Sequence, residues 1–193
     1  MSRAIAAKYT PFYRHQHHNE YLPVVKRQWT NAMGTMVLAA NEYGLTDLTF
    51  LSQNEVSQNE EWPTRNITLM DGLPAAKNLA EQHIDQAVKQ IELYLNGELN
   101  EFSVPLAPVG TEFQHQVWQA LLALPFGTAC SYSDIAKQIE RPKAVRAVGS
   151  ANGANHIALL IPCHRVIGKS GALTGYAYGV EIKRRLLMIE AAI

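Results

Sequence analysis

From Gly34 to Leu51 the chain runs apolar as GTMVLAA and again as LTDLTFL, on either side of Asn41-Glu42-Tyr43-Gly44. Two strand-like runs about a short polar turn predict a β-hairpin. Residues 52–74 are polar, with Pro63 and Pro74 as breakers, and predict a loop. Between residues 75 and 95, Ile84, Val88, Ile91 and Leu95 recur at helical spacing, and Asn96-Gly97 supplies a stop. A short strand over Phe102–Leu106 and a boundary at 107–110 follow. Residues 1–30 carry no usable period and predict an irregular arm.

The second half is helix-rich. Thr111-Glu112-Phe113-Gln114 matches a capping box, and Phe113, Val117, Leu121 and Leu124 follow at helical spacing until Pro125-Phe126-Gly127. A short helix is predicted from Tyr132, carrying Ile135, Ala136 and Ile139. A second is predicted to open at Pro142, where the missing N–H costs nothing, and to run to about Gly153. Two short helices about the tight turn Glu140-Arg141 give a helix-turn-helix outline. Ile157–Ile161 predicts a short buried strand, residues 168–179 a glycine-rich loop, and Val180–Ala192 a last helix. The fold class is therefore α/β (α+β). A small sheet-plus-helix domain over 31–106 follows the arm 1–30 and precedes a helix-rich domain over 107–193.

Charge sharpens this division. Over the whole chain 17 Lys and Arg balance 17 Asp and Glu. Residues 1–110 hold 8 against 12, a net −4, and residues 111–193 hold 9 against 5, a net +4. A basic second half suggests where a phosphate backbone docks, although scattered surface charge accounts for the same counts. No run approaches the roughly 18 apolar residues of a membrane span, and two cysteines fit a reducing compartment, so a cytoplasmic protein without a membrane partner is expected.

Ile161-Pro162-Cys163-His164-Arg165-Val166 concentrates the candidate chemistry. A cysteine attacks as thiolate and needs a base or a positive field beside it. His164 and Arg165 supply both types of group, although neighbours in extended backbone point opposite ways and a water would have to connect them. Zinc fits poorly, because only Cys163 and His164 are local and a structural site takes four ligands. Cys130 reads as a small core residue, and His15, His17 and His18 as a solvated cluster.

IPCHRVIG, preceded by SYSDIA and PKAVRAVGSANGAN and followed by GALTGYAYGVEIKRRLLMIE, resembles the O6-alkylguanine-DNA alkyltransferases from about Thr111 to Glu190. The first half resembles the smaller α/β domain of that family more weakly. The resemblance implies that Cys163 accepts the alkyl group, that His164 acts through a water as its base, and that Glu190 orients His164. It implies that Asn155 holds the turn before the active-site strand and that Tyr132 gives a proton to the departing guanine. Arg146 would fill the gap left by an extruded nucleotide. Ala144, Ala147 and Ala151 recur at i, i+3 and i+7, and small residues let that helix lie in the minor groove. Main-chain groups at Cys163, Val166, Tyr176 and Ala177 would line the base pocket, with Lys183 supporting the loop. Glu190 near a helix C-terminus opposes the dipole, which also argues for a specific partner.

The implied partner is duplex DNA bearing an alkylated guanine, bound by a monomer in a single irreversible turnover without a cofactor. Some positions depart from common family patterns. Arg141 stands where many relatives have Asn. Ala177 replaces a serine of some relatives. Asn41 and Thr46 stand where zinc-binding members place Cys and His, so no metal is expected. Thr174 and Ala158 replace glycine and proline of some relatives around the Cys163 pocket, predicting poor acceptance of a large aromatic adduct. Alternatives are an alkyltransferase-like lesion sensor without chemistry, a helix-turn-helix regulator, and a cysteine hydrolase that turns over repeatedly.

Overall fold

A computed structural model describes residues 9–13, 22–52 and 73–193. The expected His15, His17 and His18 cluster and most of the expected loop 52–74 lie outside these residues. Strands β1 (Phe12–Tyr13), β2 (Val25–Asn31), β3 (Gly34–Asn41) and β4 (Gly44–Phe50) precede helix α1 (Pro74–Leu95). Strand β5 (Val109–Gly110) and helix α2 (Glu112–Leu122) open the second half. Then come β6 (Cys130–Ser131), α3 (Tyr132–Gln138), α4 (Val145–Gly153), a 3₁₀ turn at Cys163–Arg165, β7 (Val166–Ile167) and α5 (Val180–Ile189).

β2, β3 and β4 form an antiparallel sheet in that order. Its expected hairpin is present: Asn41 pairs with Gly44, and the Asn41 carboxamide oxygen accepts the N–H groups of Tyr43 and Gly44. Gly44 (φ +151°) is required by sterics, because a Cβ there would stand 2.4 Å from Pro105 O. α1 covers the sheet with Ala80, Ile84, Ala87, Ile91 and Tyr94. Val88 and Leu95, expected on that stripe, are only partly buried.

Several sequence expectations are corrected. The lead-in is not irregular throughout, since Val25–Asn31 is the edge strand of the sheet and Phe12–Tyr13 pairs parallel with Val109–Gly110. No residue of β2 is fully buried, so VKRQWTN shows no clear alternation. Phe102–Leu106 is not a strand; only Leu106 bridges, to Leu45 and Tyr9. Nor is Ile157–Ile161. Ile157 bridges Leu48, and Leu159 (φ +70°) then turns the chain, with Leu160 N–H donating to Ala158 O. Helix α4 starts at Val145 rather than Pro142, with no side-chain cap at Ala144. The last helix ends at Ile189 because Ala191 adopts φ +53°.

The helix-turn-helix outline is present. Ser131 caps α3 through a capping box with Asp134. α3 closes in a Schellman motif: Glu140 (φ +59°) donates to Lys137 O, and Arg141 N–H to Ala136 O. α5 ends the same way, with Ala191 N–H on Met188 O and Ala192 N–H on Leu187 O. That closure sets Glu190 at the C-cap, facing inward.

Candidate active site

Cys163 sits where three segments converge. Pro162 (φ −80°, ψ 60°) makes an inverse γ-turn in which Cys163 N–H reaches Ile161 O at 2.7 Å. The 3₁₀ turn then replaces the extended backbone expected at Cys-His. β7 pairs parallel with β6, matching Cys130 to Val166 and Ser131 to Ile167. This pairing anchors Tyr132, the first residue of α3, beside the strand that leaves Cys163.

Asn155 locks the turn from inside. Its Nδ2 donates to Ile161 O (2.9 Å) and to Cys163 Sγ (3.1 Å), and its Oδ1 accepts Ile157 N–H (3.0 Å). On the other side Glu190, fully buried at the side chain, gathers donors. Oε1 accepts from His164 Nε2 (2.9 Å), Tyr94 OH (2.7 Å) and Arg165 Nη2 (2.9 Å). Oε2 accepts from Arg165 Nε (2.8 Å) and, more weakly, Gly127 N–H (3.4 Å). Burial alone would raise the Glu190 pKa, but hydrogen bonds from His164 and Arg165, with Tyr94 behind them, hold it at about 2. An ionised carboxylate only accepts, so His164 carries its proton on Nε2. Its buried Nδ1 makes no hydrogen bond to any described residue and is left as the basic nitrogen. Burial outweighs the influence of Glu190 and keeps the His164 pKa below the usual imidazole value. His164 is therefore neutral.

Burial also pushes the Cys163 thiol up, against the hydrogen bond from Asn155 and the charge of Lys183. The resting residue is a buried thiol with stabilisers of its thiolate already around it. Lys183 Nζ donates to Val166 O (2.6 Å) and Thr174 O (3.0 Å), tying β7 to the glycine-rich loop. Tyr132 is raised by burial and then by the neighbouring Cys163, so it holds its proton. A Cβ placed on Gly175 would come 3.8 Å from the Tyr132 hydroxyl, which sets that loop over Tyr132. The Tyr176 hydroxyl is buried without a hydrogen-bond partner of good geometry, yet close enough to Cys163 to favour its thiolate.

Thus Cys163, His164, Glu190, Asn155, Tyr132, Val166, Tyr176 and Lys183 come together. Ala177 and Thr174 lie exposed on the same loop. Ala158 does not line a pocket: it is wholly buried, with its N–H on Leu48 O. The alanine stripe is also corrected. Ala151 is buried and its carbonyl accepts Trp118 Nε1–H at 2.9 Å, whereas the outward face of α4 carries Arg146, Ala147, Ser150 and Gly153. A short helix packed on α2 and α3 turns its i+7 position inward, which spacing alone does not reveal. Cys130 packs against the core while remaining partly exposed.

Sequence reasoning missed Arg165 and Tyr94 as partners of Glu190. Arg165 was visible as a cation beside Cys163, but its direction was not. Tyr94 was hidden on the apolar face of α1, 96 residues from Glu190. Asn41 and Thr46 are buried at the hairpin. Among the described residues no group of three or more His, Cys, Asp or Glu side chains is placed to hold a metal, and no helix is long and apolar enough to cross a membrane.

Comparison with known proteins agrees with this geometry. The family model described as 6-O-methylguanine DNA methyltransferase, DNA binding domain, matches residues 112–192. The model of the ribonuclease-like domain of the same proteins matches residues 30–108. The methylated-DNA–protein-cysteine methyltransferase of Methanosarcina acetivorans is 42% identical over 161 residues, spanning 83% of this chain and 94% of the relative. That of Mycobacterium tuberculosis is 44% identical over 158 residues, spanning 82% and 87%. A crystal structure of Mycobacterium tuberculosis OGT in complex with DNA superposes with a TM-score of 0.71 at 42% identity, covering 86% of this chain and 92% of that one. With the Cys163–His164–Glu190 cluster in the matched region, the chain belongs to the 6-O-methylguanine DNA methyltransferase family, whose members are named methylated-DNA–protein-cysteine methyltransferases.

Proposed function

We propose that this protein repairs DNA by moving an alkyl group from O6 of a damaged guanine onto Cys163, once per molecule. The observation that carries this reading is the relay: His164 presents an unprotonated Nδ1 because Glu190 holds Nε2–H at 2.9 Å. His164 Nδ1 takes the Cys163 proton through one water. The thiolate attacks the alkyl carbon in line, forming an S–C bond as the C–O6 bond breaks. The bonding pair leaves with the guanine, and Tyr132 supplies the proton that restores the neutral base. His164 then returns its proton to Tyr132, so the net change converts thiol and alkylguanine to thioether and guanine. Nothing in the relay cleaves a thioether, which makes the turnover single, and no step requires a cofactor or metal.

The outward face of α4, in the half of the chain with net charge +4, is the proposed DNA surface. Ala144 and Ala147 would admit α4 to the minor groove, and Arg146 would occupy the space of a nucleotide flipped out at a cost of a few kcal/mol. Main-chain groups at Val166, Tyr176 and Ala177 would receive the base. The proposed functional division lies between 106 and 107, and a cytoplasmic monomer is the proposed working form.

The test is transfer from excess duplex containing O6-methylguanine. Transfer stopping at one methyl per protein, with the mass gain on Cys163, supports the proposal. Continued turnover marks a hydrolase, binding without transfer a lesion sensor, and label on Cys130 a misassigned nucleophile. Affinity should fall with salt, and Arg146→Ala should impair repair of duplex more than reaction with a free base analogue.

A further inference from the structure

The hydroxyl of Tyr94 stands out from its surroundings. α1 turns Ala80, Ile84, Ala87, Ile91 and Tyr94 inward, and the phenol oxygen is the one polar side-chain atom of that face. It is carried from the first half of the chain to the carboxylate that orients His164, at 2.7 Å from Glu190 Oε1. The ring does not need the hydroxyl for packing. Phe102 lies tilted against it at 5.2 Å between centroids, and Phe126 stands edge-on at 6.0 Å. A phenylalanine would keep both contacts and would leave no hydroxyl to desolvate.

We propose that Tyr94 is a positioning residue for the alkyl transfer: its hydroxyl holds Glu190 so that His164 keeps Nε2 protonated and Nδ1 free for the Cys163 proton. The proposal rests on the alkyl-transfer function given above. Two effects follow from the geometry. Oε1 already serves His164 and Arg165 at 2.9 Å each, so the shorter bond from Tyr94 fixes where that oxygen stands relative to the imidazole. A donor on the carboxylate also disperses its charge, which weakens the pull of Glu190 on the Nε2 proton and keeps imidazolium from being over-stabilised. Tyr94 can sustain this role because burial, and then the charge of Glu190, push its own pKa far up, so it is always the donor. The relay is thereby completed by both halves of the chain.

The experiment compares full-length wild type with Tyr94→Phe. Single-turnover transfer from O6-methylguanine duplex is followed against pH, and His164 is titrated without DNA by nitrogen-15 NMR. Tyr94→Phe is expected to fold, to bind duplex as wild type does, and to lower the plateau rate by about threefold to thirtyfold, a part of what a positioned base contributes. The acid limb of the profile and the His164 titration should both move to higher pH, because Glu190 becomes more basic. A purely structural role would change the melting temperature and leave both midpoints in place. Coincident midpoints in wild type and variant would overturn the proposal. Absence of methyl on Cys163 in the wild type would instead overturn the alkyl-transfer function, while the His164 titration would still decide whether Tyr94 acts on the relay.

Discussion

Asn155 Nδ2 stands 3.1 Å from Cys163 Sγ and 2.9 Å from Ile161 O, so one amide ties the nucleophile to the turn that precedes it. The same side chain satisfies Ile157 N–H through Oδ1. Asn152 Nδ2 reaches Cys163 O at 3.4 Å, so α4 and Asn155, the residue just past its C-cap Ala154, both bear on Cys163. These two asparagines connect α4, the helix proposed to face DNA, to Cys163.

Asn155→Ala therefore should do two separable things. It orphans the buried Ile157 N–H, at a cost of roughly 1–3 kcal/mol, and leaves Ile161 O with the Cys163 N–H alone, so chemical denaturation should show a loss of stability. It also removes a donor that favours the thiolate. Alkylation of Cys163 by iodoacetamide, followed against pH, should show a midpoint above that of wild type. A variant that loses stability without that rise would make Asn155 purely structural.

Ala191 presents the opposite opportunity. It closes the Schellman motif after α5 at φ +53°, a conformation that costs an L-residue roughly 1–2 kcal/mol. Ala191→Gly should stabilise the protein by about 0.5–1 kcal/mol, net of the greater freedom of glycine in the unfolded chain. Transfer rate should be unchanged, since the cap keeps Glu190 in place either way. Thermal melting at matched pH measures the gain.

Stability should fall as pH falls, in two stages. His164 and His115 are both held below 6.5, chiefly by burial. His115 Nε2–H donates to Phe12 O while Nδ1 accepts from Tyr9 OH, so the neutral ring fits its surroundings. An unfolded histidine gains a proton that the folded one resists, so their contribution is full above about pH 6.5 and declines below it. Glu190, at about 2 instead of 4.5, contributes above pH 4.5 and loses that contribution as pH falls toward 2. Denaturation curves between pH 8 and 3 should thus weaken first near 6.5 and again below 4.5. A flat profile from pH 8 to 5 would show that the histidines titrate normally in the fold.

Much of the second half was legible in the sequence because its determinants are local. The capping box at Thr111, the six residues around Cys163 and the short helices about Glu140-Arg141 each lie within a few positions of one another. What escaped was set by distant packing. Val25–Asn31 is an edge strand with charged residues on both faces. Ile157–Ile161 is apolar because it is buried, yet it turns at Leu159. Ala151 falls on the inward face of α4 because that helix packs against α2 and α3. Tyr94 lies on the apolar face of α1, and nothing local tells that its hydroxyl meets Glu190, 96 residues away.

Lys183 links thiol electrostatics to the loop over the site. Lys183→Met removes the donor to Val166 O and Thr174 O together with a charge that favours the Cys163 thiolate. Each unit by which the cysteine pKa rises removes about tenfold of its thiolate near neutral pH. Transfer should slow accordingly, with the rise of rate that accompanies thiolate formation moved to higher pH. Lys183→Arg should not restore it, because a planar guanidinium does not reproduce a compact ammonium serving two carbonyls. Full recovery in the arginine variant would assign the effect to charge alone.

Thr174 bears on which adducts fit. Its carbonyl is held by Lys183, and Gly175 beside it lies near the Tyr132 hydroxyl, so this stretch of loop, with the Thr174 side chain exposed, stands at the edge of the proposed base site. A β-branched residue has few rotamers with which to move aside, and a misfit of methylene scale in a pocket is worth about 1–3 kcal/mol. Ala158 has no part in this selectivity, because it is sealed in the core. O6-methylguanine in duplex should react well and free O6-benzylguanine poorly. Thr174→Gly should speed the benzyl reaction roughly tenfold, within that energy range, and the methyl reaction much less. Glycine at 174 also loosens the loop, so duplex binding should be measured beside the two rates. Rapid inactivation of the wild type by micromolar O6-benzylguanine would show that the threonine does not guard the site.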